Sequence, residues 1–132
     1  MKRRLIIAAG ALALAVVIPG TGFAVAPTSA FTGTWESTDF DGSHQTLLVS
    51  AGARPSVVYQ DFYASSCDTF AGPSTHWVAS GVGEVDGDIL WISFHKSGCG
   101  NFLQGGYDDW YWYDSGTDTL TDSVGIIWTR TS

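Results

Sequence analysis

The sequence predicts an all-β protein with a single domain, folded as an eight-stranded antiparallel up-and-down barrel. From residue 31 onward, no window keeps a helical apolar period over ten residues. Short runs rich in Val, Ile, Thr and aromatic residues alternate instead with clusters of Gly, Asp, Asn and Ser. The chain has 132 residues, of which 45% are hydrophobic and only 14% are charged, a composition typical of one compact core.

Turn residues separate the predicted strands. Asp41-Gly42 and Asp86-Gly87 supply the positive φ that tight hairpins require, and further turns are predicted at 52–55 and 114–117. Successive hairpins form a meander, and closing the meander into a barrel removes both exposed edges, whereas an open two-sheet β-sandwich is the alternative. The predicted strands are 32–37, 44–51, 56–63, 77–85, 89–95, 107–113, 118–122 and 125–131.

The fourth predicted strand carries a row of small side chains on one face, at Ala79, Gly81 and Gly83. Small residues opposite large ones fill a narrow barrel. With four or more tryptophans inside, the barrel is full and a ligand binds on its outer wall, whereas with two or fewer a small apolar molecule has room to enter. The tryptophans that strand alternation could aim inward are Trp35, Trp91, Trp110, Trp112 and Trp128.

Residues 1–30 are predicted to be a secretory signal peptide, which leaves 31–132 as the folded domain. Basic residues at positions 2–4 precede an apolar run that Pro19 interrupts, and small residues follow, with cleavage expected after Ala24 or Ala30. An uncleaved anchor is the alternative, but the run of about 14 residues is shorter than the ~20 that a spanning helix needs. The predicted location is therefore secreted or periplasmic.

The exported part is strongly acidic. Once the three basic residues of the signal are removed, three basic residues face thirteen acidic ones, a net charge of about −10. Such a charge repels phosphate backbones and anionic lipid headgroups. Nucleic acids and membrane surfaces are therefore excluded as expected partners.

Cys67 and Cys99 are the two cysteines of the chain. In an oxidising compartment they have no other thiol with which to pair, so the sequence predicts a Cys67–Cys99 disulfide. A free thiol pair or a metal pair is the alternative.

The two ends of the domain resemble lipocalins and the wider calycin group, which includes avidin-like barrels. Gly33-Thr34-Trp35 lies on the first predicted strand, and Trp128-Thr129-Arg130 lies on the last. In that group a Gly-x-Trp packs at the closed end of the barrel under an arginine near the last strand. The resemblance implies that Trp35 and Arg130 form the barrel floor, with the guanidinium stacked on the indole ring.

The first functional hypothesis is a secreted, monomeric binding module without enzymatic activity. The sixth predicted strand has large rings on both faces, and exposed aromatic patches mark ligand or partner surfaces. The expected partner is a small apolar molecule, a glycan or a secreted protein, and no cofactor is expected. The candidate binding residues are Tyr107, Asp109, Trp110, Tyr111, Trp112 and Tyr113.

The alternative hypothesis is an inhibitor of an exported protease. Small disulfide-bonded barrels of this mass resemble bacterial inhibitors of secreted metalloproteases, which act through a flexible N-terminal arm. Residues 25–30 would form such an arm if cleavage follows Ala24.

No catalytic or metal-binding residues are predicted. Asp114-Ser115-Gly116-Thr117 resembles the Asp-Ser-Gly-Thr of aspartic proteases, but those enzymes need two such carboxylates, and the sequence is also ordinary turn chemistry. His44, His76 and His95 are too widely spaced in the sequence to predict a zinc site.

Overall fold

A computed structural model describes residues 29–71 and 75–132, with the side chains of all these residues except 69–71. The predicted signal peptide thus lies outside the described residues, apart from Ser29 and Ala30. Within the described ranges, no helix is long and apolar enough to cross a membrane.

Nine strands and one short helix make up the described chain, and each of the eight predicted strands is present. The ninth strand is a short segment that the sequence did not indicate. The elements are β1 (Gly33–Thr38), β2 (His44–Val49), β3 (Ser56–Phe62), α1 (Ser65–Ala71), β4 (Trp77–Asp86), β5 (Ile89–Cys99), β6 (Phe102–Gln104), β7 (Tyr107–Asp114), β8 (Thr119–Asp122) and β9 (Ile127–Arg130).

The strands close into an antiparallel barrel, as predicted, and do not form an open sandwich. Eight strands pair side by side in the order β4-β3-β2-β1-β9-β8-β7-β5, and the pairing of β4 with β5 completes the ring. Strand β5 is longer than predicted because it has two partners on the same edge. It pairs with β7 along Ile89–Phe94 and with the extra strand β6 along Ser97–Cys99.

The two ends of the barrel differ, and we call them the floor and the mouth. The floor contains the turns at 50–55, 86–88 and 115–118 together with the ends of the domain. The mouth contains the turns at 39–43 and 123–126 and the longer connections at 63–76 and 100–106. The predicted turn glycines Gly42 and Gly87 both have positive φ, 88° and 58°.

The row of small residues on β4 faces inward. Ala79 is fully buried, and a Cβ atom at Gly81 would collide with the Ser93 carbonyl of β5, next to the irregularity in the β4–β5 ladder. At Gly83 a Cβ atom would lie 2.8 Å from Leu90 Cδ1. The small side chains therefore let the wall approach the core closely.

Two of the five tryptophans considered for the interior are buried there, Trp35 and Trp128. Trp91 and Trp112 lie on the outer wall, 48% and 44% exposed, and Trp110 is half-buried against Trp91, with ring centroids 6.4 Å apart. Aiming those three inward was wrong, because the inward alternation of β5 and β7 is taken by the residues between them.

Trp35 and Arg130 meet at the floor. The guanidinium Cζ lies 4.1 Å from the centroid of the Trp35 ring, which is the contact that the lipocalin resemblance implies. Arg130 also donates hydrogen bonds to the carbonyl oxygens of Ala30 and Thr32 and forms an ion pair with Asp118 at 2.8 Å. This bonding lowers the pKa of the Asp118 carboxyl. The floor is thus closed.

Helix α1 is the element that the sequence did not predict. Its seven residues are too few to show a helical apolar period, and they lie between β3 and β4 at the mouth. Two bonds hold it there: the Asp41 carboxylate accepts a hydrogen bond from the Ser65 amide at 3.0 Å, and Cys67 is joined to Cys99.

The predicted Cys67–Cys99 disulfide is present, with Cα atoms 5.5 Å apart. Both cysteines are buried with Ala64 in a second small core, against which Trp77 packs. The bond connects α1 to the end of β5 across a separation of 32 residues. Both elements border the mouth.

Replacing both cysteines by alanine is expected to lower the free energy of unfolding by about 3 to 4 kcal/mol, because the unfolded chain then regains the entropy of an open loop. Urea denaturation measures the loss. The wild-type protein in reductant serves as the control and should unfold at the same urea concentration as the double variant. Equal stability of the oxidised wild type and the double variant would contradict this account.

Candidate functional site

The mouth of the barrel opens into a cavity of about 490 Å³. Its described lining comes from β2, β3, β7 and β8, from the mouth ends of β4 and β6, and from the connections at the mouth, including Ser66 of α1 and Val124 of the β8–β9 turn. The closed floor lies at the opposite end. The cavity therefore opens at the mouth and not through the floor.

The cavity is polar because four strands carry a polar residue at the mouth end of their inward face. Gln45 is the second residue of β2 and Asp61 is the last but one of β3, while Asp109 lies near the start of β7 and Asp122 ends β8. All four line the cavity. Nearer the floor, the same inward faces continue with apolar or aromatic residues, such as Leu47 and Leu120.

Aromatic rings form the lower wall of the cavity. Tyr59 contacts Trp128 with ring centroids 6.0 Å apart, and Tyr111 contacts the same indole at 5.7 Å. Tyr107 lies over Phe94 at 4.8 Å and is 37% exposed at the entrance. A bound molecule would thus meet ring faces below and carboxylates above.

The hydroxyl of Tyr59 is positioned by a short chain of hydrogen bonds. Ser37 Oγ donates to Gln45 Oε1 at 2.7 Å, and Gln45 Nε2 donates to the Tyr59 hydroxyl at 2.8 Å. Because that hydroxyl oxygen accepts, its own hydrogen is left to donate to another group.

Asp122 has a structural role. Its Oδ1 accepts the backbone N–H groups of Val124 and Ile126, at 3.1 and 2.8 Å, and its Oδ2 accepts Trp128 Nε1–H at 3.1 Å. These bonds hold the β8–β9 turn and the buried indole in place. Asp122 therefore forms part of the frame of the mouth.

The hydrogen bonding of Asp61 differs from that of Asp122. The residue is only 5% exposed, yet its Oδ1 accepts no hydrogen bond from any described residue. Burial raises the pKa of Asp61, and hydrogen bonding with the side chains of Ser43 and Gln45 offsets part of this rise. The nearby carboxylates of Asp39 and Asp41 raise the pKa further. A buried carboxylate in such surroundings gains stability from any cation or hydrogen-bond donor that approaches it.

Burial also raises the pKa of other titratable groups in the cavity. Burial raises the pKa of Asp109, whose Oδ1 accepts the Trp110 backbone N–H at 2.8 Å. Burial raises the pKa of Tyr107 to about 12, and it raises the pKa of Tyr59 and Tyr111 as well. All three tyrosines are therefore neutral hydrogen-bond donors at physiological pH.

The six predicted binding residues fall into three places. Tyr107, Asp109 and Tyr111 line the cavity. Tyr113 lies at the floor, where its ring contacts those of Phe31 and Trp35 and its hydroxyl donates to Asp118. The two tryptophans of the group, Trp110 and Trp112, belong to the outer wall, so the six do not form one surface.

Sequence reasoning missed Gln45, Tyr59, Asp61 and Asp122 as cavity residues. The signal that could have found Gln45, Asp61 and Asp122 is a polar residue at the mouth end of an otherwise apolar inward face. In a meander this residue falls at the start of one strand and at the end of the next, so its shared location appears only after the strands are folded back on one another.

Other sequence features have structural roles. Asp114 Oδ1 accepts the Gly116 backbone N–H at 2.8 Å, so the Asp-Ser-Gly-Thr segment forms the β7–β8 turn. Of the arm predicted for the inhibitor hypothesis, Ala30 is bound to Arg130 and residues 25–28 lie outside the described residues, so that hypothesis stays a prediction. Within the described ranges, no three His, Cys, Asp or Glu residues come together as metal ligands.

The resemblance to lipocalins rests on the residues at the floor. The contact between Trp35 and Arg130 lies at the opposite end of the barrel from the cavity, and it does not specify a ligand. No protein-family model, no curated protein and no solved structure matches the chain, so its function has to be inferred from the site itself.

Proposed function

We propose that this protein is an exported, monomeric binding module that holds a small molecule in the mouth of its barrel and carries out no chemistry of its own. The observation that carries the proposal is the cavity, which is closed at the floor and lined by converging tyrosines and carboxylates. Its volume of about 490 Å³ lies within the range of known small-molecule sites, roughly 300 to 1,000 Å³.

The disulfide supports the export part of the proposal, because such bonds persist in oxidising compartments. It also supports the binding part. The bond holds α1, and with it Ser66, at the rim of the cavity. A rigid rim reduces the entropy lost when a ligand binds.

The cavity lining favours a polar ligand over the small apolar molecule expected from the sequence. An apolar ligand would separate Asp61 and Asp109 from water without replacing the lost hydrogen bonds. A molecule that brings its own donors avoids that cost. The interior does have the room expected when only two tryptophans are buried, but its upper part is not apolar.

The test is a ligand screen on the wild-type protein and two matched variants, each of which adds one tryptophan at an exposed apolar position. Val124 is 65% exposed and lines the cavity, whereas Ile127 is 63% exposed on the outer wall and does not line it. The probes are small amines, saccharides and fatty acids, and the readouts are the melting temperature and calorimetric titration.

At least one probe class is expected to bind the wild type and the Ile127→Trp variant, and to lose its binding in Val124→Trp. The new indole at position 124 would fill the entrance. The proposal fails if no probe class binds the wild type, or if Val124→Trp binds as well as the wild type does. Loss of binding in Ile127→Trp alone would move the site to the outer wall and would also overturn the proposal.

A further inference from the structure

We infer that the ligand of the cavity is a small organic cation, a molecule with a protonated amine, which binds with its ammonium group beside Asp61 and its carbon skeleton against the tyrosine rings. This inference rests on the proposed function and specifies its ligand class. Three features of the cavity support this inference: the acidic side chains of its lining, the buried Asp61 carboxylate whose Oδ1 accepts no hydrogen bond from the described residues, and the position of the tyrosine rings.

The described lining of the cavity has acidic side chains and no basic ones. It includes the carboxylates of Asp39, Asp61, Asp109 and Asp122, and it includes no Lys, Arg or His. The ion pair formed by Arg130 lies at the floor with Asp118. An anionic ligand would be repelled at the mouth, while a cation would be attracted to it before and after entry.

Asp61 is the anchor that the inference assigns. It is nine-tenths or more buried, it lines the cavity, and its Oδ1 accepts no hydrogen bond from the described part of the chain. Asp122, by contrast, already accepts three hydrogen bonds. The ammonium N–H groups of a bound amine would bring the opposite charge to Asp61 and a hydrogen-bond donor to its Oδ1.

The tyrosine rings suit the rest of such a ligand. Tyr59 and Tyr111 meet the Trp128 indole from two sides, and Tyr107 stands at the entrance. Ring faces attract a cation within about 6 Å of their centroids and also bury the carbon skeleton attached to it. A neutral sugar would use the rings but would leave the carboxylate charge uncompensated.

The test compares a cation with a neutral molecule of nearly the same shape. Tyramine carries a protonated amine where tyrosol carries a hydroxyl, and calorimetric titration measures both without a fluorescent label. Wild-type protein is expected to bind tyramine at least about tenfold more tightly than tyrosol, the factor expected for a charge-assisted hydrogen bond.

Two isosteric variants complete the test. Asp61→Asn keeps the shape of the side chain and is expected to remove the preference for tyramine. Asp108→Asn removes the same charge from β7, where the side chain is exposed and lines a groove on the outer wall, so the preference should remain. Comparing these two variants separates a contact at Asp61 from the general charge of the protein.

The outcomes test the cation assignment, the Asp61 anchor and small-molecule binding separately. Equal binding of tyramine and tyrosol, or tighter binding of a saccharide such as maltose, would overturn the cation assignment while leaving small-molecule binding in place. A tyramine preference that survives Asp61→Asn would overturn the anchor. If no amine binds, the inference is wrong, and the wider screen with Val124→Trp then decides the proposed function separately.

Discussion

The Trp35→Ala variant is expected to have a free energy of unfolding about 4 to 5 kcal/mol below that of the wild type, near the upper end for truncating a buried aromatic residue. Trp35 has no exposed surface, and its Nε1 donates to the Phe31 carbonyl at 2.9 Å. Its ring lies under the Arg130 guanidinium and against the edge of Tyr113. Removal would leave a cavity at the floor and a guanidinium without its aromatic partner.

Chemical denaturation of Trp35→Ala and of Trp112→Ala measures this effect against a matched control. Trp112 is 44% exposed on the outer wall, so its truncation is expected to lower stability by less than about 1 kcal/mol. Similar losses for the two variants would show that the floor is not the stabilising feature described here.

The Asp122→Ala variant is expected to lose about 4 kcal/mol of unfolding free energy, because three donors, two of them buried, lose their acceptor at once. The affected donors are the backbone N–H groups of Val124 and Ile126 and the indole N–H of Trp128. Thermal denaturation should show a large drop in melting temperature. Hydrogen exchange should show faster exchange at the β8–β9 turn in particular.

Asp61→Asn is the contrasting variant at the same rim. Burial raises the pKa of Asp61 above its ordinary value of 3.8, so the folded state binds this proton more tightly than the unfolded state. This contribution is present at low pH, and it is lost as the pH rises through the raised folded-state pKa. At neutral pH, Asp61→Asn should therefore be as stable as the wild type or more stable. A loss comparable to that of Asp122→Ala would show that Asp61 is a structural residue.

The eight strands of the barrel were predictable because each depends on local information. Alternating residues and turn pairs such as Asp86-Gly87 mark a hairpin whatever surrounds it. The disulfide followed from a count of two cysteines, and the floor contact from the residues at the two ends of the domain. The exceptions are α1 and β6, which have seven and three residues. The disulfide joins α1 to the end of β5, and β6 pairs with the same end of β5 in a local hairpin.

The inward and outward faces of β7 could not be assigned from the local sequence. The strand has rings on both sides, so alternation alone did not say whether Tyr111 or Trp112 enters the core. Closure of the barrel decided it, and Tyr111 is 2% exposed while Trp112 is 44% exposed. The predicted binding residues were therefore divided between the cavity, the floor and the outer wall.

The sequence by itself determined the eight strands of the barrel, the turns between them, the cysteine pair and the two residues that meet at the floor. The strands and turns follow from short-range patterns, the pair from a count of two cysteines, and the floor contact from the resemblance at the two ends of the domain. Only the tertiary structure decided which polar residues come together at the mouth. Gln45, Asp61, Asp109 and Asp122 come from four different strands, and each is an unremarkable polar residue in its own segment. Their convergence depends on the order and register of strand pairing, a long-range property that brings their carboxylate and amide groups into one enclosed space.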